Sequence, residues 1–306
     1  MKLLITGGLG FIGSHYINYI LENTEDLVLN VDIFTYASIL RKETSNRYQW
    51  MRKDIVDLTE SDLEGIDCIV NFAAETHVDQ SIPNPNIFYR SNVFGALNLF
   101  QLALKKQIRI LQVSTDEVFG SLPKGVFATE YYPFRPGNFY SASKAAAELA
   151  GMASFNTYKL DIVVTRSVNN YGPKQHKEKF IPTILNNLKS GKEIPVYGKG
   201  EHRRDWLYVQ DNCRAIDLVL RKGKAGESYN IAGGNEMANI EILTNIEQLT
   251  NIKAKIKYIP DEVARPGHDM RYGLNDSKIK ELGWQPSMGI ESGLLEAIKY
   301  DEHRNN

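Results

Sequence analysis

The stretch Thr6-Gly7-Gly8-Leu9-Gly10-Phe11-Ile12-Gly13 joins the apolar run Lys2–Thr6 to a helical pattern over Ile12–Glu22. Its glycines are spaced both as Gly-x-Gly-x-x-Gly and as Gly-x-x-Gly-x-x-Gly. Glycine at these positions permits a tight turn and lets a pyrophosphate approach the backbone closely. The N-terminus of the following helix offers free N–H groups and a favourable dipole to such an anion. Strand, loop and helix together predict a phosphate-binding unit at the start of the chain.

Around this unit, short apolar runs alternate with longer amphipathic stretches through the first half of the chain. The apolar runs are nearly continuous, as expected for strands that are covered on both faces of a sheet. Their alternation with helices predicts an α/β fold, a doubly wound parallel sheet of the Rossmann type. The predicted strands are Lys2–Thr6, Leu27–Val31, Asp67–Phe72, Arg109–Ser114 and Asp161–Arg166, and the predicted helices are Ile12–Glu22, Asn92–Lys106 and Ser141–Tyr158.

After about Tyr171 the pattern loosens, because prolines and glycines separate shorter elements. Ser228–Ala232 is typical of one more strand, which we expect to rejoin the first sheet. The remaining tail predicts a smaller C-terminal α/β lobe. We therefore expect a dinucleotide-binding domain over residues 1–171, a substrate domain over residues 172–306 and a cleft between them. The helical patterns of the tail are Ile240–Leu249, Ser277–Leu282 and Ile290–His303.

The composition excludes several classes of protein. Of the 306 residues, 42% are hydrophobic and 24% charged, close to globular averages, which rules out general disorder. A net charge of −1 argues against a nucleic-acid or membrane-surface binder, and no apolar run approaches the roughly 18 residues of a membrane span. The N-terminus turns glycine-rich too early for a signal peptide. With only two cysteines, Cys68 and Cys213, in no metal-ligand spacing, we expect a cytoplasmic protein.

An acid at the end of the second predicted strand indicates the cofactor. Asp32 lies 19 residues after Gly13, where a carboxylate accepts hydrogen bonds from the adenosine ribose of a dinucleotide. Ile33, Phe34 and Thr35 follow it, so no arginine or lysine is placed directly after it to hold a 2′-phosphate. The sequence therefore favours NAD over NADP.

Tyr140 and Lys144 are four residues apart and share one face of a predicted helix. A nearby ammonium favours the phenolate, so we expect Lys144 to lower the pKa of Tyr140. A phenolate can take a proton from a sugar hydroxyl while hydride leaves for nicotinamide. A tyrosine and a lysine at this spacing can occur by chance. The pair indicates a catalytic site here because it follows the phosphate loop in the chain.

Three reactive side chains, Thr115, Asp116 and Glu117, stand at the end of the fourth predicted strand. Ligands of doubly wound sheets bind outside the carboxyl ends of the strands. Thr115 can hydrogen-bond the hydroxyl that Tyr140 deprotonates. One of the two carboxyl groups, Asp116 and Glu117, can act as an acid and the other as a base if their surroundings separate their pKa values. The simpler interpretation of this segment alone is a solvated acidic turn.

These features together resemble the extended short-chain dehydrogenase/reductase family of nucleotide-sugar enzymes. Within it, Ser114-Thr115-Asp116-Glu117-Val118 is similar to the signature of the dTDP-glucose 4,6-dehydratases. Two residues depart from the usual pattern, since Phe119 stands where tyrosine is common and Thr76 where serine is common. The chain also has little sequence between Ile55 and Asp67. The resemblance covers nearly the whole chain and includes Ala73–Asp79, Asn169–Pro173, Tyr197–Gly200, Arg204–Trp206 and Arg265–Asp269.

The resemblance implies a catalytic cycle. Tyr140, supported by Lys144 and Thr115, would oxidise C4 of the glucose by passing hydride to NAD. Glu117 would remove the acidified C5 proton, and Asp116 would protonate the C6 hydroxyl, which leaves as water. Hydride return to C6 and reprotonation of C5 would then give a 4-keto-6-deoxy sugar nucleotide.

The resemblance also assigns the binding residues and an assembly. Arginine suits a pyrophosphate because its planar fork binds phosphate through two hydrogen bonds. Relatives pair the helices at Asn92–Lys106 and Ser141–Tyr158 across a two-fold axis, which implies a homodimer. The cofactor positions are Gly7, Gly10, Phe11, Ile12, Gly13, Asp32, Asp54, Ile55, Ala73, Ala74, Asn92, Tyr140, Lys144 and Asn170. The substrate positions are Thr76, Thr115, Asn169, Lys179, Phe180, Pro195, Tyr197, Arg204, Asn239, Arg265 and His268.

Two other functions remain open at this stage. A nucleotide-sugar 4-epimerase or decarboxylase of the same scaffold needs the Tyr–Lys oxidation but no acid for C6, so Asp116 beside Glu117 favours the dehydratase. A non-catalytic NAD-binding protein can keep the phosphate loop without Tyr140 or Lys144, both of which are present. No histidine or cysteine pair has metal spacing, and we assign no metal.

Overall fold

The structure is a computed structural model that describes residues 1–39, 45–260 and 269–304. Its elements alternate between strands and helices, as the apolar runs predict. The strands are β1 (Lys2–Thr6), β2 (Leu27–Asp32), β3 (Tyr48–Arg52), β4 (Cys68–Asn71), β5 (Arg109–Thr115), β6 (Ile162–Ser167), β7 (Asn169–Tyr171), β8 (Glu193–Tyr197), β9 (Arg203–Tyr208), β10 (Ser228–Ile231), β11 (Glu236–Ala238) and β12 (Lys255–Ile259).

The helices connect these strands and cover the sheets. A π-helical turn, Tyr89–Gly95, leads directly into the fourth helix, so the first residues of the predicted helix at Asn92–Lys106 are π-helical and the α-helix itself begins at Ala96. The helices are α1 (Phe11–Asn23), α2 (Val78–Ser81), α3 (Pro85–Phe88), α4 (Ala96–Lys106), α5 (Phe139–Tyr158), α6 (Phe180–Lys189), α7 (Val209–Lys222), α8 (Asn239–Thr250), α9 (Ser277–Glu281) and α10 (Ile290–Arg304).

Seven strands form one parallel sheet in the order β3-β2-β1-β4-β5-β6-β10. The order reverses between β1 and β4, so a crevice opens at their carboxyl ends, where open α/β sheets bind ligands. The predicted doubly wound sheet is confirmed. The phosphate loop leaves β1 and enters α1 at the edge of this crevice.

Apolar side chains fill both faces of the sheet. Leu3, Ile5 and Val70 belong to one buried cluster on the side of α1 and α7, and Leu4 and Ile69 belong to another on the side of α4 and α5. Strand side chains alternate between faces, so neighbours such as Leu3 and Leu4 enter opposite cores. Because both faces of the sheet are covered, the sequences of these strands are nearly continuous apolar runs.

The second half of the chain adds a smaller lobe and also returns to the first sheet. A three-stranded sheet, β11-β9-β7, and a two-stranded sheet, β12-β8, pack with α6, α8 and α10 around Tyr171, Trp206 and Ile242. Within this half, β10 pairs in parallel with β6, and α7 packs against α1. The division into domains at Tyr171 stays a prediction.

No helix in the described ranges combines the length and the apolar character that crossing a bilayer requires. Among the same residues, no cluster of three or more histidine, cysteine or acidic side chains is placed to hold a metal ion.

Candidate active site

A cavity of about 340 Å³ lies at the carboxyl ends of the central strands, and most predicted site residues line it. The strand ends bring together segments that are far apart in sequence, which is the usual way a doubly wound sheet builds a site. The predicted residues in its wall are Gly7, Gly10, Phe11, Ile12, Gly13, Asp32, Asp54, Ile55, Ala73, Ala74, Thr76, Thr115, Asp116, Glu117, Tyr140, Lys144, Asn169, Asn170 and Lys179.

The phosphate loop needs glycine at two positions for steric reasons. Gly7 has a φ of +68°, and a Cβ there would lie 2.6 Å from the backbone nitrogen of Ala73. A Cβ on Gly13 would collide with the carbonyl oxygen of Gly7. The turn therefore keeps α1 close to β1 and exposes backbone at the helix N-terminus, where a phosphate can approach. Gly8 instead turns its N–H to Oδ1 of Asn30, at 3.1 Å.

The two acids of the predicted adenosine end are held by backbone amides. Asp32 accepts hydrogen bonds from the N–H groups of Leu9, at 2.9 Å, and Phe34, at 3.0 Å. Asp54 accepts one from the N–H of Val56, at 3.1 Å. These bonds fix the carboxylates at the wall of the cavity. Each carboxylate can still accept further hydrogen bonds, from ribose hydroxyls or from an adenine amine.

The cavity fits a dinucleotide by its own chemistry. Its wall contains a glycine turn at a helix N-terminus and a carboxylate at the end of β2. Two of its buried polar atoms, the Ser114 Oγ and the Asn170 Oδ1, have no hydrogen-bond partner among the described residues. Buried polar atoms are normally satisfied, so these atoms call for a polar ligand or water in the cavity.

Thr115, Asp116 and Glu117 form a connected group where β5 ends. The Thr115 hydroxyl accepts a hydrogen bond from the Glu117 N–H, at 3.3 Å, and donates one to Oδ1 of Asp116, at 3.1 Å. Burial, reinforced by the charge of Glu117, raises the pKa of Asp116 to about 8. Asp116 is therefore protonated at neutral pH and can act as an acid.

Glu117 shares this buried environment but has more partners. Burial raises the pKa of its carboxyl group, and the positive charge of Arg204 opposes the rise. The Tyr272 hydroxyl lies 3.4 Å from its Oε2 atom. Hydrogen-bond donors and a cation favour the carboxylate form, which is the form that accepts a proton.

Helix α5 presents Tyr140 and Lys144 to the same space. Asn138 caps the helix by accepting a hydrogen bond from the Ser141 N–H, at 2.9 Å, which fixes where the first turn begins. The Lys144 Nζ atom donates to the carbonyl oxygen of Val113, at 2.7 Å, and burial lowers the pKa of this ammonium to about 8.

The expected lowering of the Tyr140 pKa is wrong. Burial first, and then the charge of Glu117, raise the pKa of this phenol well above its usual value. Lys144 does not offset this rise, because its ammonium is directed to a backbone carbonyl on β5. The residues around Tyr140 therefore favour the protonated phenol.

Several predicted binding residues lie outside the cavity wall. Asn92 instead binds the backbone N–H and carbonyl of Glu75 and the Ser143 hydroxyl, which positions the loop after β4. Phe180 stacks on Trp206 with ring centroids 6.0 Å apart. Arg265 and His268 lie outside the described residues. The others away from this wall are Pro195 and Tyr197 on β8, Arg204 on β9 and Asn239 at the start of α8.

Arg204 is buried beside the reactive acids rather than in the cavity wall. Its guanidinium donates to the carbonyl oxygens of Arg203, at 2.7 Å, and Asp269, at 2.8 Å. It also lies over the ring of Tyr272, with 4.3 Å to the centroid. The arginine therefore contributes positive potential near Glu117, and its role toward a substrate phosphate stays a prediction.

Sequence reasoning missed several residues of the cavity wall. Thr35, Tyr36 and Ser38 follow β2, and His176 and Glu178 precede α6. Thr35, Tyr36 and Ser38 could have been predicted from the sequence, because they come just after Asp32 at the end of a strand. His176 and Glu178 carry no comparable local signal, because a long connection between lobes brings them to the cavity.

Comparison with known proteins agrees with this geometry. The model of the GDP-mannose 4,6-dehydratase family matches residues 4–297, which span both lobes. The chain belongs to this family.

Three individual proteins illustrate the similarity. A dTDP-glucose 4,6-dehydratase of Haemophilus influenzae is 43% identical, with 98% of this chain and 97% of that protein covered. The low-salt glycan biosynthesis protein Agl12 of Haloferax volcanii is 42% identical, with 98% of each chain covered. The dTDP-glucose 4,6-dehydratase DesIV of Streptomyces venezuelae, solved with NAD bound, is 40% identical with a TM-score of 0.94, covering 100% of this chain and 98% of that one. The resemblance to dTDP-glucose 4,6-dehydratases is confirmed.

Proposed function

We propose that this protein is an NAD-dependent dTDP-glucose 4,6-dehydratase, which converts dTDP-glucose to dTDP-4-keto-6-deoxyglucose and water. The observation that carries the proposal is the buried group at the end of β5, where Asp116 and Glu117 line one cavity with Tyr140. An oxidation at C4 alone requires the tyrosine, whereas elimination of water also requires an acid and a base. Relatives with this name at about 40% identity over nearly the full chain support the same reaction.

The cavity residues that would hold NAD divide by the part of the cofactor they suit. The glycine turn and the N-terminus of α1 suit the pyrophosphate, and Asp32 and Asp54 suit the adenosine. NAD, when bound, takes up the hydride from C4 of the sugar and supplies the hydride that C6 receives after elimination. Structures of relatives solved with this cofactor support the assignment.

Tyr140, Lys144 and Thr115 act at C4. The Tyr140 hydroxyl group, once deprotonated, accepts the proton of the C4 hydroxyl as the C4–H bond breaks, and a C4 ketone forms. Thr115 hydrogen-bonds the same hydroxyl and keeps it aligned. In the complex with substrate and NAD, Lys144 would stabilise the phenolate from the position where the Val113 carbonyl holds it at the end of β5.

Glu117 and Asp116 act at C5 and C6. The C4 ketone acidifies the C5 proton, which the Glu117 carboxylate removes, and the electron pair forms the C5–C6 double bond. Asp116 gives its proton to the C6 hydroxyl, so the C6–O bond breaks and water leaves rather than hydroxide. Glu117 then returns its proton to C5. The high pKa of Asp116 supports the acid role, since the proton is present at neutral pH.

The mass of the product tests this reaction. We would incubate the purified protein with dTDP-glucose and, in parallel, with UDP-glucose. The proposal predicts the loss of one water from dTDP-glucose and little turnover of UDP-glucose. A product of unchanged mass would contradict dehydration and support the epimerase alternative. Equal turnover of both nucleotides would contradict the base preference, which rests on the named relatives.

We also propose a binding mode for the substrate. Thr76, Asn169 and Lys179 line the cavity beside the reactive acids and would contact the sugar and its phosphates. Arg204, Arg265 and His268, with Phe180, Pro195, Tyr197 and Asn239, would hold the nucleotide in the second lobe, as the family pattern implies. In this binding mode the second lobe covers the nucleotide. The two lobes would then be separate domains that divide near residue 171.

The protein would act as a cytoplasmic homodimer. Helices α4 and α5 pack side by side, and their face, together with the π-helical turn before α4, exposes large apolar side chains that include Leu149 on α5 at 59% and Phe94 in that turn at 62%. Pairing this face with its copy would bury both side chains in a four-helix arrangement. Light scattering that gives a monomer mass at micromolar concentration would contradict the dimer.

A further inference from the structure

Four side chains meet at the mouth of the cofactor cavity, and none of them takes part in the steps described above. Tyr36 lies in the loop after β2, and His77 lies in the loop after β4. His176 and Glu178 lie in the segment that leads into α6. Tyr36, His176 and Glu178 line the cavity itself. These four residues are called the mouth cluster.

Glu178 is the centre of the mouth cluster. Each of its carboxylate oxygens lies 3.3 Å from the Tyr36 hydroxyl, which donates to them. Its Oε2 atom is also 3.4 Å from Nε2 of His77 and 3.5 Å from Nδ1 of His176. The rings of Tyr36 and His176 meet edge to face, with centroids 5.3 Å apart. One carboxylate therefore joins side chains from three separate segments.

The mouth cluster connects the two lobes across the cavity opening. Tyr36 and Glu178 are 142 residues apart in sequence, one in the loop after β2 and the other just before the second lobe's first helix. Lys179 adds a second connection, since its Nζ atom donates to the carbonyl oxygen of Thr76, at 3.2 Å. The side chains of Glu178 and His77 are each only 21% exposed, so water screens their contact less than it screens a surface pair.

We propose that the mouth cluster is a latch that retains the dinucleotide in the cavity, with Tyr36 and Glu178 as its central pair. The inference rests on the proposed function, in which one cofactor molecule must remain bound between oxidation at C4 and reduction at C6. If the cofactor left between these two steps, the sugar would remain a C4 ketone whose C6 has not been reduced. Separating the segments that wall the cavity breaks the contacts of Glu178, so these contacts slow the escape of the cofactor.

The rate at which bound NAD exchanges tests the latch without any turnover. We would follow the exchange of NAD in the holoenzyme for excess fluorescent etheno-NAD in the wild type, Tyr36→Phe, Glu178→Gln and the double variant. Glu178→Gln keeps the shape but removes the charge, and we expect dissociation about threefold to tenfold faster. Tyr36→Phe removes only the hydroxyl, and we expect a rise of about twofold to fivefold. The double variant should exceed Glu178→Gln by less than the Tyr36→Phe effect alone, because removing the charge at position 178 already weakens the contact that the Tyr36 hydroxyl makes.

A matched control separates the latch from a general effect of losing a hydroxyl. The Tyr131 hydroxyl donates to Oε2 of Glu227 at 3.4 Å, a similar contact outside the cavity wall, so Tyr131→Phe should leave the exchange rate unchanged. Unchanged exchange in Tyr36→Phe, additive effects in the double variant or an equal rise in Tyr131→Phe would each overturn the proposal. Tyr36 is 68% exposed, so its variant decides the matter even where Glu178→Gln fails to fold.

These measurements distinguish a failure of the latch proposal from a failure of the proposed function. A protein that dehydrates dTDP-glucose but exchanges NAD at the same rate in all variants has the function and lacks the latch. A protein whose variants release NAD faster but whose product keeps its mass has the latch and a different reaction. In a working dehydratase, added NAD should restore part of the activity that Glu178→Gln loses.

Discussion

The Nζ atom of Lys144 lies 2.7 Å from the carbonyl oxygen of Val113, so the end of β5 fixes the cation that follows Tyr140 by one helical turn. The same strand end carries Thr115, Asp116 and Glu117. One strand terminus therefore positions both the residues that we propose for oxidation and those that we propose for elimination. The hydrogen bond from Lys144 on α5 to Val113 on β5 connects the helix and strand halves of the site.

Replacing Lys144 with methionine tests this arrangement. Lys144→Met keeps the length of the side chain but removes the charge that stabilises the Tyr140 phenolate. We expect kcat to fall by about 10²–10⁴-fold, the usual contribution of acid–base groups, while the fold persists. Steady-state kinetics measures the loss, and circular dichroism checks the fold. Lys105→Met on the exposed surface of α4 is the control and should keep kcat. A kcat within twofold of wild type in Lys144→Met would exclude its role.

Asp116→Asn separates elimination from oxidation. Asparagine matches the shape of the protonated acid but cannot give a proton to the C6 hydroxyl. We expect dehydration to slow by about 10²–10⁴-fold, while oxidation at C4 continues and reduced cofactor accumulates transiently. Rapid-mixing absorbance at the wavelength of NADH detects that species. An unchanged dehydration rate would remove Asp116 from the reaction.

The raised pKa of Asp116 also predicts how stability depends on pH. Burial moves this pKa from 3.8 to about 8 in the folded protein. Between these values the folded protein keeps a proton that the unfolded chain releases, so the free energy of unfolding falls as pH rises. Asp116→Asn removes this dependence, and its free energy of unfolding should exceed that of the wild type increasingly from pH 4 to pH 8. Urea titrations of the ligand-free proteins measure it, and a difference that shrinks with pH would contradict the assignment.

Local signals allowed much of the site to be predicted from the sequence. The glycine turn, Asp32 and the residues from Thr115 to Glu117 each lie at the last residue of a strand or directly after it, and Tyr140 and Lys144 share a helix face. Strand ends converge in a parallel sheet, so these residues come together without knowledge of the second lobe. The apolar runs likewise predicted the central strands within one or two residues.

Other parts depend on contacts between distant segments, which the sequence pattern does not reveal. Tyr272 reaches Glu117 across 155 residues, and Tyr36 reaches Glu178 across 142. The edge strand β3 is half exposed and lacks an apolar run, so no strand bounds could be predicted there. The pKa of Tyr140 was predicted wrongly because burial, which sequence spacing does not show, raises it, and because the Lys144 ammonium is directed to the Val113 carbonyl.

Glu148 provides a prediction that joins stability to catalysis. It lies one turn after Lys144 on α5 and forms a buried ion pair with Arg166, with 2.8 Å between Oε2 and Nε. Arg166 also lies over the rings of Phe119 and Phe134, each with 5.1 Å to the centroid. Glu148→Gln leaves the buried guanidinium uncompensated, which costs about 3–5 kcal/mol in comparable pairs.

The same change should alter the pH dependence of activity. The charge of Glu148 opposes the effect of burial on Lys144, so its removal lowers the pKa of Lys144 below about 8. Activity at alkaline pH should therefore decline at a lower pH in Glu148→Gln than in the wild type. Urea unfolding and a pH profile of kcat/KM measure the two effects. Glu60→Gln breaks an exposed ion pair with Lys105 and is the control for both. Loss of stability without a shift of the pH profile would show that Glu148 supports the fold but not the charge of Lys144.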